Sequence, residues 1–155
     1  MPYYIRAFCT DESRPSLDQL ETALKRDNPA ACFKADDDRT AANWSQAEFY
    51  YKEGKQPVVV EINFNDGDKS LASEESQEFA DKIGKPGFSL SKRRVLSQLA
   101  NTRYIVCCQL LGDIDDDGYH LNGELLNFYV NNHGGMIQAD GEGFYDGHKV
   151  IVNLS

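Results

Sequence analysis

The chain has 155 residues, 41% hydrophobic and 26% charged, and its 25 acidic against 16 basic side chains give a formal net charge of -9. That composition suits one soluble globular domain, residues 1-155, built on one good core. The negative field argues against nucleic acid or an anionic lipid surface as the general partner. No apolar run approaches the roughly 18 residues of a membrane span, and MPYYIRAFCT has no signal-peptide pattern, so a cytoplasmic protein without a membrane partner is expected.

Residues 3 to 9, YYIRAFC, alternate over a strand length, with Tyr3, Ile5 and Ala7 on one face and Tyr4, Arg6 and Phe8 on the other. Ser16-Leu17-Asp18-Gln19 is a capping box opening a helix with Leu17, Leu20 and Leu24 on one side, ending near Asn28-Pro29. A short strand at 31-35 leads into Asp36-Asp37-Asp38, read as a solvated acidic run, and a polar loop to about Ser45. Strands are expected at 48-51 and 57-64, the latter with Val58, Val60, Ile62 and Phe64 sharing a face.

Helices are expected at 70-83 and about 90-101, separated by Gly84-Lys85-Pro86-Gly87, with Lys92-Arg93-Arg94 as a solvated helix start. Tyr104 to Leu111 is apolar on both faces, as in a central covered strand. A helix from about Tyr119 to Asn132 stops at Gly134-Gly135. Three short strands, 136-139, 142-145 and 148-154, are then joined by turns at Asp140-Gly141 and Asp146-Gly147. Cys9, Cys32, Cys107 and Cys108 lack zinc-site or redox spacing and are expected as buried free thiols, the adjacent Cys107 and Cys108 pointing to opposite faces of their strand.

The order strand, helix, strand, strand, strand thus occurs twice. Tyr4-Ile5 matches Tyr104-Ile105, Phe33-Lys34-Ala35-Asp36 matches Ile137-Gln138-Ala139-Asp140, and Val58 to Ile62 matches Val150 to Leu154, in the same sequence of events. The expected fold class is therefore α+β: two similar β-α-β-β(-β) units, about 1-65 and 103-155, with a mainly antiparallel sheet and a helical connector at 66-102. This is similar to paired ferredoxin-like or vicinal-oxygen-chelate modules. The latter hold metal through His and Glu on matched strands, whereas the first half of this chain has no His.

The sharpest motif is Asp113-Ile114-Asp115-Asp116-Asp117-Gly118 followed by Glu124. Asp113, Asp115, Asp117, the Tyr119 carbonyl and Glu124 fall at the ligand positions of a twelve-residue EF-hand loop, which makes Ca2+ the candidate cofactor. Against that, a strand precedes the loop where an EF-hand has a helix, and an acidic loop ahead of a helix N-terminus is favourable without metal. A second candidate set is His133, Asp140, Glu142 and Asp146, which could gather as an acid-base or metal site at the mouth of the last strands. The alternative reading is that Asp-Gly steps are simply what tight hairpins use. One of each aromatic pair, Tyr50-Tyr51 and Phe144-Tyr145, could serve a partner or homodimer surface or stack within the sheet.

The strings MPYYIRAFCT, DIDDDGYHLNG and GGMIQADGEGFYDG resemble those of a family of small, uncharacterised bacterial proteins, with no activity attached to it. The resemblance covers most of the chain and implies a bacterial cytoplasmic origin. The functional expectation is an acidic binding or regulatory module for a protein partner, of inhibitor or immunity type, rather than an enzyme. The alternative is a metal-dependent enzyme with an acidic site in the cleft between the repeats.

Overall fold

The computed structural model describes residues 3-155; Met1 and Pro2, the start of the first expected repeat, lie outside it. The first segment is β1 (Tyr3–Cys9), α1 (Leu17–Lys25), β2 (Cys32–Lys34), β3 (Gln46–Tyr50) and β4 (Val58–Phe64). Two helices follow, α2 (Leu71–Ile83) and α3 (Leu90–Ala100). The remainder is β5 (Tyr104–Leu110), α4 (Asp116–Asn132), β6 (Gly135–Ala139), β7 (Gly143–Asp146) and β8 (Lys149–Asn153). The Ser16 capping box is formed, with the hydroxyl accepting from the Gln19 amide at 3.2 Å and the Gln19 side chain accepting from the Ser16 amide at 2.8 Å. α1 ends at Lys25, before the expected Asn28-Pro29, while α4 begins at Asp116, a turn earlier than expected.

Among the described residues, the eight strands lie in one sheet, in the order β2-β3-β4-β5-β1-β6-β7-β8, and every neighbouring pair is antiparallel. The order strand, helix and three strands does recur on either side of α2 and α3, but not as a repeated position. β2-β3-β4 runs from an edge inward, whereas β6-β7-β8 runs from the centre outward. Each unit's first strand is separated from its own three-strand meander by the first strand of the other unit. The fold is α+β, with four helices on an antiparallel sheet.

Helices cover both faces. On one face, Leu17, Leu20 and Leu24 of α1 and Leu121, Leu125 and Tyr129 of α4 pack with Ala7, Val60, Val106 and Cys108. On the other, Phe79 of α2 and Val95 and Leu99 of α3 meet Phe8, Ile105, Phe144 and Val152. Phe8, Phe79 and Phe144 form an aromatic triad with centroids 5.6 Å apart. β5 lies between β4 and β1 and is covered on both faces, which is why its sequence is apolar but for the half-buried Gln109. Cys9, Cys107 and Cys108 are buried free thiols; Cys32 is half-buried. Among the described residues, no helix is long and apolar enough to cross a membrane.

Candidate binding cleft

The acidic loop before α4 serves as an anchor between elements. Asp115 is the helix N-cap, its carboxylate accepting from the Gly118 amide at 3.0 Å. Lys52, in the turn after β3, reaches Asp115 at 2.7 Å and Asp117 at 2.8 Å. Asp113 accepts from the Gln56 amide at 3.1 Å, and its carbonyl accepts from Lys55 at 2.9 Å. Glu124 is two turns along the helix, accepting from Asn28 at 2.7 Å and facing His120 at 3.0 Å. An EF-hand wraps its ligands around a loop; here the helix starts at Asp116, so Tyr119 and Glu124 sit on a helical rise rather than facing Asp113. Among the described residues no group of three or more His, Cys, Asp or Glu side chains is placed to hold a metal ion.

The second candidate set is also dispersed. Asp140 pairs with Arg6 at 2.7 Å, on the face carrying α2, where Arg6 also meets Glu75 at 3.0 Å and Gln138 at 2.7 Å. Asp146 pairs with Arg94 at 2.8 Å. His133 ends α4 and contacts Ser13 at 3.1 Å, beyond the Cys9 end of β1, whereas Glu142 meets Tyr3 at the opposite end. With six residue steps at about 3.4 Å between those ends, His133 and Glu142 stand roughly 20 Å apart. These four residues therefore do not form one acid-base constellation.

Glu142 faces a cleft beside α4, whereas Asp146 borders only a small depression of about 50 Å³. It sits in the turn between β6 and β7, where its amide donates to the Ala139 carbonyl at 3.1 Å and its own carbonyl accepts from the Leu154 amide at 3.0 Å. The turn depends on glycine: Gly143 has φ +137°, and a Cβ there would fall 2.0 Å from the Val152 carbonyl oxygen. The Tyr3 hydroxyl donates to Glu142 Oε2 and the Tyr145 hydroxyl to Oε1. These bonds, that from Tyr145 first, hold the Glu142 carboxyl below its ordinary range. The same bond pushes the Tyr145 phenol up to about 12. Tyr3 is raised mainly by burial and then by Glu142.

The cleft has a volume of about 370 Å³ and lies between the first half of α4 and the sheet residues Ile5, Ile137, Ala139 and Tyr145. Its polar lining is Glu124, Glu142, His120, His148, Asn122 and Asn127, with no lysine or arginine among the described residues. Asn122 is 0% exposed, and neither its Oδ1 nor its Nδ2 has a partner. The hydroxyls of Tyr51, Ser76 and Tyr129 are likewise buried without a side-chain or backbone partner among the described residues. Gly123 beside it has only open space where a Cβ would be. Tyr119 stands at the rim, 45% exposed, with its ring edge-on to Tyr3 at 6.4 Å between centroids. Depressions of about 410 Å³ beside β2 and β3 and about 540 Å³ beside residues 66-70 are lined by loop and strand-edge groups, without a helical wall of this kind.

No protein-family model matches the chain, and neither a curated protein nor a solved structure is significantly similar to it. The cleft must therefore be interpreted from its own chemistry. Sequence reasoning singled out Glu142, Glu124 and Tyr119 but missed Tyr3, Tyr145 and Asn122 as members of one site. One signal was present for Asn122: it shares a row with Leu126 and Tyr129 at helical spacing, a polar residue on an apolar stripe, followed at once by a mid-helix glycine.

Proposed function

We propose that this protein is a non-enzymatic binding or regulatory module that recognises a basic protein partner through the cleft between α4 and the β6–β8 meander. The observation that carries the reading is the lining of that cleft, which offers the carboxylates of Glu124 and Glu142 and no basic side chain other than histidine. The net charge of -9 adds a long-range attraction for a basic partner and raises its rate of encounter. An inhibitor or immunity-type role, in which an acidic surface covers the working face of a basic enzyme, is the concrete form of this proposal. The repeated order of elements supports an origin by internal duplication, with the two first strands exchanged at the centre of the sheet.

The test is the affinity of a fluorescently labelled basic peptide for the wild type and for a Glu124→Gln, Glu142→Gln variant. Binding in the cleft predicts at least a ten-fold loss in the variant. Diffuse attraction to the whole surface predicts little change, because the variant still carries a net charge of about -7 from the original -9. Equal affinities, or no binding by the wild type, would overturn the proposal.

A further inference from the structure

We infer that the cleft is shaped for a guanidinium, the side chain of an arginine on the partner, seated on Glu142 beside the rings of Tyr119 and Tyr145. The inference rests on the cleft-binding reading and adds the chemical class of the group that enters. Its first support is the way Glu142 is held. Oε2 accepts from Tyr3 and Oε1 from Tyr145, so each oxygen has used one acceptor direction and keeps another. Each oxygen of this fixed carboxylate can still accept from one further donor, and a guanidinium offers several donors in one planar group. An ammonium is a compact, strongly hydrated point charge and gains less from that geometry.

The aromatic surround is the second support. The Tyr119 ring is exposed at the rim and Tyr145 lines the wall, so a planar cation on Glu142 has π-faces to lie against. The floor supplies the third. Gly123 leaves the space above the helix open, so a planar group can lie close to the helix backbone there. A guanidinium has five donors. Two directed at Glu142 leave others for the uncharged acceptors of the cleft, a demand that a simple ammonium meets with fewer groups.

The experiment uses N-acetyl-arginine amide and N-acetyl-lysine amide, each charged only on its side chain, titrated into protein carrying ring-labelled tyrosine and followed by NMR. The arginine compound should shift the Tyr119 and Tyr145 ring signals saturably, and the lysine compound should require at least a ten-fold higher concentration. Glu142→Gln should abolish the shifts. Because that variant also loses one of the two tyrosine hydrogen bonds, Tyr119→Ala provides a second arm, expected to weaken the arginine compound while the buried Tyr104 and Tyr129 signals stay in place. Equal affinities for the two compounds, both lost with Glu142, would overturn the guanidinium assignment and leave the cation-binding reading standing. No shift with either compound would also overturn it; the functional reading is decided separately, by the basic-peptide affinities of the wild type and the double variant.

Discussion

Glu142 shows how a side chain in a solvent-facing turn acquires a fixed charge and orientation. Two tyrosine hydroxyls donate to it, and both bonds favour the ionised form. Its folded-state pKa is therefore below its ordinary value of 4.5, so its contribution to stability is complete above that value and is lost as pH falls through the folded one. Asp115, lowered by Lys52 and the Gly118 amide, acts in the same direction. For Glu21, burial raises the pKa, but the Phe33 amide and Arg39 outweigh it and the net shift is downward. Glu75 has the opposite sign: burial raises its pKa above 4.5 despite Arg6, so it favours the fold when protonated and that contribution is lost as pH rises. Thermal melting followed by circular dichroism should show Tm falling as pH drops below about 4.5. Glu142→Gln should make the decline shallower than in the wild type, and parallel profiles would show that the tyrosine clamp has no energetic role.

At the scale of elements, the strands and helices were largely legible because their periods are clean. β4 alternates, β5 is apolar but for Gln109, and Ser16 and the turn glycines mark ends. The start of α4 was not legible. Asp115-Asp116-Asp117-Gly118 reads as a turn, yet Asp115 caps the helix and Gly118 provides space: a Cβ there would come within 2.5 Å of Ile114 and 2.8 Å of Tyr51. Those neighbours arrive from tertiary packing, which no local pattern reports. Gly123 is a different case, since its Cβ would meet nothing. Gly123→Ala should therefore stabilise α4 by up to about 1 kcal/mol, read as a rise in Tm. The same methyl group would intrude on the cleft, so binding of the basic peptide should weaken. A variant that gains stability with unchanged affinity would show that this glycine does not serve the cleft.

At the scale of the whole molecule, the candidate site is a product of strand pairing. Tyr3, Tyr119 and Tyr145 lie far apart in the chain, and the antiparallel pairing of β1 with β6, followed by β7, brings the ends of those elements under α4. The two sets proposed from sequence were drawn from residues close in the chain, and the fold sends them to separate partners: Lys52 and Lys55, Arg6, Arg94, Ser13 and the tyrosines. Conversely, Glu124 and Glu142, from the two different sets, line one cavity. On the proposed reading this cavity, rather than the acidic surface at large, receives a basic partner. Backbone amide NMR during titration with a basic peptide tests it most directly. The signals of Tyr119, Asn122, Gly123, Glu142 and Tyr145 should move together and saturate at one equivalent. Shifts confined to acidic segments away from the cleft, such as Asp36 to Asp38 or Asp66 to Asp68, or spread without saturation over the surface, would contradict it.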